Sequence, residues 1–366
     1  MTPVLGTYLY GVIEGTGAPA LGLPGMDGAS PVRLVAEDGL GAIVSQYTGP
    51  AFQALSKEKL VRCLFDHQRV LEHVMQHGAV LPVKIGTLLE SPGEVQGLLA
   101  QGHRQLHTAL AFVRDKIELE VVATWEINRV LQEVAAEEEV TRAKETIAQK
   151  GQDTIGARLQ LGQLVKGRLD RRRDGYRDRM MGLLKPLAVD AAANALISDA
   201  MVMNTAFLVQ RDQQGDFDAG VRQLDQLFQG ELAFRVIGPL PPYSFSTVEV
   251  ERLSPEQLHQ ARQTLRLDDA LSTSEVRRAY RRLAAQTQRD LTPGDPLAAD
   301  QFRQLRRALR VLLACSETLD PLQGDERLLS TRSLKDDDLW VITVHGPQRE
   351  DPELLTATTG RGGSTS

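Results

Sequence analysis

The amino-acid sequence predicts an α+β protein, and three observations carry that expectation. Short β-rich runs alternate with amphipathic helical stretches over residues 1–126. A highly charged helical region follows and leads into a second strand–helix–strand set, closed by Gly238-Pro239-Leu240-Pro241-Pro242-Tyr243-Ser244-Phe245. Residues 254–315 are again almost wholly helical in pattern. At 366 residues the chain is long enough for two or three domains. The expected division is 1–126, 127–250, 254–315 and a tail, 316–366, with one strand and a disordered Gly/Ser/Thr-rich end.

Thr7 to Ile13 is apolar on both faces and reads as a central strand. Val32 to Ala36 and Leu40 to Tyr47 flank Glu37-Asp38-Gly39, and Asp-Gly between two such runs signals a hairpin. Ser56 offers an N-cap for a helix to about His77, with Leu60, Leu64, Val70, Leu71 and Val74 at helical spacing and Gly78 placed to end it. Ala79 to Thr87 reads as an edge strand, because Pro82 cannot donate to a ladder. One helix fits Pro92 to Lys116. Ile117, Leu119, Val121, Ala123 and Trp125 then alternate with Glu118, Glu120 and Thr124, as in a strand with one wet face. This order suggests a small sandwich, ferredoxin-like in kind.

Glu126 to about Leu187 is helical, with a break at Pro186. Ala200 to Arg211 is a strand, Asp216 to Gln229 a helix, and Glu231 to Ile237 a strand. Leu232, Phe234 and Val236 echo Leu119, Val121 and Ala123, a hint of an internal repeat. Three prolines in four positions make the segment that follows stiff and extended, and two aromatics close it. Pro239, Pro241, Pro242, Tyr243 and Phe245 are expected to fix the end of the second α+β set, and Tyr8 and Tyr10 to pack the first sheet. Leu339 to His345 is the tail's one strand.

Hydrophobic content of 42% and charged content of 25% are those of an ordinary soluble protein, and a net charge of −6 gives no basic field for nucleic acid over the whole chain. Cys63 and Cys315 fit no metal spacing, and a reducing cytoplasm is the simplest setting. No Lys or Arg precedes Arg33, so no secretory signal is expected. The longest apolar run, 191–209, contains Asn194, Ser198, Asp199 and Asn204, which argues against a lipid membrane as partner.

The chemistry-bearing motifs are sparse. No Gly-x-Ser-x-Gly elbow occurs, and Gly162 to Leu169 lacks the Lys and hydroxyl of a phosphate loop. His73/His77 and His103/His107 each share a helix face, but two ligands without a third favour solvated histidines over a metal site. No catalytic residue, metal ligand or cofactor is therefore expected. The basic run from Arg158 to Lys185, with Arg171 to Arg173 at its centre, is a candidate nucleic-acid patch. Asp170, Asp174 and Asp178 interrupt it, and a salt-bridged helix is the favoured reading.

Two resemblances add to this. The opening TYLYGVI, the segment Leu81-Pro82-Val83-Lys84-Ile85-Gly86-Thr87, the strand Ile117 to Val121 and the closing GPLPPYSF occur in the order seen in the GvpL/GvpF family of gas vesicle proteins, which this chain resembles over roughly Pro3 to Phe245. One departure is Ile85, where the family has an aromatic before Gly-Thr. The resemblance implies an N-terminal domain of modified ferredoxin-like type and a C-terminal part combining helices with a second α+β unit. It also implies a non-enzymatic, vesicle-associated role, with the hydrophobic major shell protein and other gas vesicle accessory proteins as partners. Residues 265–313 are similar to a J-domain, the module with which DnaJ-type co-chaperones engage Hsp70: Ser272-x-x-Glu275 is a capping box, followed by Val276 to Ala284. The signature His-Pro-Asp loop would fall at Gln288-Arg289-Asp290, where only Asp290 matches. That puts Hsp70 stimulation in doubt and leaves two readings, a hairpin kept for docking or a helical pair that packs on its neighbours.

Overall fold

The structure, a computed structural model, describes residues 4–15, 22–149, 154–267, 270–290, 296–319, 329–330 and 339–346. The chain is a mixed α+β protein with antiparallel sheets, divided into two compact units: residues 1–114 with 246–366, and residues 115–245.

In the first unit, β1 (Val4–Glu14), β2 (Arg33–Glu37) and β3 (Leu40–Gly49) pair antiparallel in the order β2-β3-β1, which leaves the other edge of β1 for later strands. The β2–β3 turn holds Asp38 and Gly39 at φ 43° and 81°, the left-handed pair that Asp-Gly supplies. α1 (Lys57–Met75) starts at Ser56, whose side chain accepts from the Lys59 N–H. β4 (Val80–Pro82) and β5 (Leu88–Leu89) both pair with β1, so Lys84 to Thr87 form the turn between them rather than a continuation of the strand.

Where one helix was expected there are two, α2 (Pro92–Gln101) and α3 (His103–Val113), joined at Gly102. A Cβ at Gly102 would lie 2.1 Å from Ile342 Cδ1, so a side chain from the far end of the sequence occupies the space beside the break.

The second unit opens with β6 (Lys116–Trp125). The ferredoxin-like reading made this the last strand of the first sheet. It lies instead at the centre of a separate sheet, ordered β7 (Asp190–Ala193), β8 (Met201–Gln210), β6, β9 (Leu232–Leu240). Alternation predicts a strand but not its partners, which here come some 80 residues and more later. The charged middle region comprises three helices, α4 (Ile127–Ala135), α5 (Glu138–Gln149) and α6 (Ile155–Leu184). α7 (Gln214–Phe228) connects β8 to β9 and buries Phe217, Leu224 and Phe228.

The chain then returns to the first unit with β10 (Thr247–Leu253), α8 (Pro255–Leu265), β11 (Ala270–Leu271), α9 (Thr273–Asp290), α10 (Pro296–Leu319), β12 (Leu329–Ser330) and β13 (Leu339–His345). β10 and β13 form an antiparallel ribbon with two apolar faces. Val248 and Ile342 join the core built by β1, β3, α2 and α3, while Leu253 and Val341 join a second core with α8, α9 and α10. The Ser272–Glu275 capping box forms in both directions, Glu275 N–H to Ser272 Oγ at 3.2 Å and Ser272 N–H to Glu275 Oε2 at 2.9 Å. Gln288, Arg289 and Asp290, aligned with a J-domain loop, are the last residues of helix α9 and are not in a loop. The residues after 346, expected to be disordered, lie outside the described residues.

Candidate functional site

The family-like segments converge within each unit. In the first, Tyr8 and Tyr10, two apart on β1, point the same way and meet edge to face at 4.7 Å. Tyr8 Oη lies 2.8 Å from Nδ1 of His67 on α1 and accepts from the Gly86 N–H at 3.4 Å. Tyr10 Oη lies 2.9 Å from Ser45 Oγ. The Leu9 N–H donates to the Thr87 carbonyl, and Gly11 stands opposite Pro82 beside Leu81. Gly86 takes φ 88° in the turn, a conformation that favours glycine. Burial lowers His67 to about 4 and raises Tyr10 to about 12, so both are neutral near pH 7. This is an interior polar cluster with no opening for a substrate at its centre: Tyr8, Tyr10 and Ser45 are fully buried.

Above that cluster, α1 presents what the spacing of its apolar residues mispredicted. Leu60 and Leu64 were placed on the core face, yet they are 36% and 46% exposed, and Val61 and Phe65 are 42% and 67% exposed. The buried face of α1 begins only at His67 and continues through Val70, Leu71, Val74 and Met75. The first two turns therefore carry an exposed apolar patch of four neighbouring side chains, the kind of surface that marks an interaction site.

A shallow groove of about 420 Å³ lies elsewhere on the same unit, with Leu5, Lys84, Gly86, Glu249, Arg252 and Trp340 among its walls. Its charges neutralise one another: Lys84 Nζ and His345 Nε2 sit 2.5 and 2.6 Å from the two Glu249 oxygens, and Arg252 pairs with Glu90 at 2.5 Å while lying over the Trp340 ring.

In the second unit, the closing motif is held by a carboxylate. Glu118, expected on a wet face, is only 4% exposed, and it accepts from both the Ser244 N–H and the Ser244 hydroxyl at 2.8 Å. Those two donors replace the water that the strand pattern assigned to it. Burial pushes Glu118 up to about 7, against the downward pull of the Ser244 hydrogen bonds. Gly238 and Pro239 form the end of edge strand β9, joined by a cis peptide bond. Gly238 has φ 138°, and a Cβ there would stand 2.8 Å from the Glu118 carbonyl. Pro241 and Pro242 are buried, Tyr243 is half-buried, and Phe245 packs at 1% exposure on Ala206 and Leu208.

The basic run is engaged by acidic helices. Arg172 on α6 pairs with Glu133 and Glu137 at 2.6 and 3.5 Å, Arg168 with Glu137 and Glu139, Arg173 with Asp170, and Arg177 with Asp174. His73 on α1 and His77 just past its end lie ring to ring, as do His103 and His107 on α3. Among the described residues no group of three or more His, Cys, Asp or Glu is arranged to hold a metal, and no helix is long and apolar enough to cross a membrane. Sequence reasoning missed Glu118 and His67: Lys116 and Glu120 stand beside the first and Asp66, Gln68 and Arg69 beside the second, so neither is marked out locally as a buried ionisable group.

Both units are α+β, with buried polar clusters and paired surface charges, and α1 adds an exposed apolar patch to the first. Residues 6–247 match the family model of the gas vesicle synthesis protein GvpL/GvpF. Gas vesicle protein F of Streptomyces sp. (strain CB03234) is 31% identical over 245 residues, which is 66% of this chain and 99% of that protein. Gas vesicle protein F of Microcystis aeruginosa (strain PCC 7806) is 27% identical over 249 residues, 66% of this chain and 98% of the relative. In fold the chain is similar to the crystal structures of GvpF from Microcystis aeruginosa (TM-score 0.56, 24% identity, 65% of this chain and 98% of the other) and from Anabaena sp. PCC7120 (TM-score 0.57, 24% identity, 66% and 98%). The chain belongs to the GvpL/GvpF family, and its function is related to gas vesicles. Residues 248–366 extend beyond the matched segment.

Proposed function

We propose that this chain is a non-enzymatic assembly factor, cytoplasmic and associated with the gas vesicle, that binds the hydrophobic major shell protein. By covering that protein it limits aggregation while the shell nucleates, in concert with other accessory proteins. The observation that carries this reading is the family match over residues 6–247, together with an exposed apolar patch inside the matched segment. The physics is that strand-rich apolar subunits expose sticky edges and faces before they assemble, and a partner with a matching apolar surface shields them. Leu60, Val61, Leu64 and Phe65 are the proposed contact, since their removal from water on docking stabilises a complex without disturbing the core of α1.

The test is co-expression with the major shell protein, scoring capture of the shell subunit and its soluble fraction. Binding with raised solubility, both lost in Leu64→Ser/Phe65→Ser, is the expected result. Absence of capture by the native chain, or vesicles of normal number and shape in a deletion strain, would overturn the assembly role. Undiminished capture by the double variant would overturn the α1 patch as its contact.

A further inference from the structure

We infer that the outer edge of β13 pairs antiparallel with β13 of a second copy of this chain, about a two-fold axis at Ile342. β13 lies beyond residues 6–247, so the inference stands independently of the assembly role proposed above.

The free edge of the strand follows from one hydrogen bond. The Val248 carbonyl of β10 accepts from the Lys84 N–H at 2.8 Å, and Val83 bridges Val248 in parallel. Val248 therefore turns its carbonyl toward the segment after β4 and away from Val344, which stands opposite it on β13. In an antiparallel ladder such a pair is of the non-hydrogen-bonded kind, and both residues aim their N–H and C=O groups outward. The alternation of the strand extends this to Ile342 and Trp340. The backbone donors and acceptors of Trp340, Ile342 and Val344 thus line one edge of β13, and among the described residues no strand pairs with that edge.

Other edge strands of the molecule are blunted. β2 carries Arg33 and Glu37, β7 carries Asp190, and β9 carries Arg235 and Pro239. β13 holds no Asp, Glu, Lys, Arg or Pro, and His345 at its end lies 2.6 Å from Glu249. Its middle, Trp340 to Val344, is wholly aromatic or β-branched, the composition that favours pairing. The two faces of the ribbon are already covered, with Ile342 in one core and Val341 in the other, so a partner strand meets the edge.

A second copy fits this edge by its own symmetry. Setting Ile342 opposite Ile342 of the second copy brings Trp340 opposite Val344 in both directions. Every outward N–H then faces an outward C=O of the other strand. The faces agree as well, because Val341 falls opposite Thr343 and no side chain changes side. Trp340 on Val344 is an aromatic–β-branched cross-strand pair, and His345 falls opposite Leu339, so no like charges meet. The pairing uses the same edge in both copies, so association closes at two. A strand of another protein would have to supply a matching pattern from a different sequence.

The experiment is sedimentation of the full chain from low to high micromolar concentration, with amide hydrogen exchange on the same samples. The expected result is a monomer–dimer equilibrium in which the amides of 340, 342 and 344 gain protection with concentration. Those of 341 and 343, bound to β10, should be protected throughout. Val344→Pro removes an outward N–H without touching the ladder to β10, and should weaken pairing roughly tenfold or more. Thr343→Glu and Thr343→Lys each set like charges diagonally across the two-fold axis. Each should weaken its own dimer by about two- to fivefold, and an equal mixture of the two should regain the native strength. Should Val344→Pro fail to fold by circular dichroism, the two Thr343 variants carry the test. A monomer at every concentration would overturn the inference and leave the edge to a strand of another protein. Open-ended assembly, a dimer without protection at 340, 342 and 344, a folded Val344→Pro that pairs as the native chain does, or a mixture no stronger than its components would overturn it too.

Discussion

Replacing Glu118 with Gln should make the stability of the second unit less sensitive to pH between about 4.5 and 7, because this buried carboxyl is held near 7 rather than at 4.5. The folded state binds the Glu118 proton more tightly than the unfolded chain does. The stability it contributes is therefore complete below the unfolded value and is lost as pH rises through the folded one. A displacement from 4.5 to about 7 corresponds to about 3 kcal/mol, as an order of magnitude, at roughly 1.4 kcal/mol per pH unit. With only 4% of the residue exposed, little of this is lost to solvent screening. Gln preserves the local geometry: its carbonyl accepts from the Ser244 N–H and its amide donates to the Ser244 hydroxyl, which reverses its role. The assay is urea unfolding of Trp340→Phe, in which Trp125 of β6 is the remaining tryptophan, with and without Glu118→Gln, from pH 4.5 to 8. The variant should gain on its parent as pH rises, reaching about 3 kcal/mol. Parallel curves would show that Glu118 does not titrate in this window. A variant that loses ground with rising pH would mean that the carboxylate is held ionised, and the reasoning from burial would fail.

Gly238→Ala should cost on the order of 2 kcal/mol in the same unfolding assay, since alanine must adopt φ 138° and press on the Glu118 carbonyl; an unchanged midpoint would show that the corner relaxes freely. Ile342→Ala should destabilise the first unit by about 2–5 kcal/mol, because a fully buried side chain beside Gly102 is removed. A loss below about 0.5 kcal/mol, the size of an ordinary surface change, would mean that β13 does not belong to that core.

What could be read from the sequence depended on how local the cause was. The β2–β3 hairpin follows from Asp38-Gly39, and the start of α9 from Ser272 and Glu275, because a few adjacent residues determine each. Strand Leu339–His345 was legible from its β-rich composition alone. The break at Gly102 was not, since its partner is Ile342. Nor was the sheet to which β6 belongs. The apparent repeat between 119–123 and 232–236 arises because the two strands are neighbours: Val121 faces Val236 and Ala123 faces Phe234. At the candidate site, the clustering of Tyr8 with Gly86 was foreshadowed by the family motifs, but the exposure of Leu60 and Leu64 was hidden. Helical spacing marks an apolar stripe and does not say where its cover stops.

The two-faced ribbon has a consequence for the order in which the molecule is made. The first unit is discontinuous in sequence, with residues 115–245 forming the other unit between its two parts. Ile342 completes a core whose other members, apart from Val248 of β10, are synthesised before residue 114, so that core lacks its last strand while more than two hundred further residues leave the ribosome. At elongation rates of about 5–20 residues per second the interval is on the order of 10–50 s. Throughout it, the space beside Gly102 and Leu106 lacks the Ile342 side chain that fills it in the folded unit. The nascent chain therefore passes through a stage in which its own apolar core is incompletely covered, a state prone to association until the last strand docks.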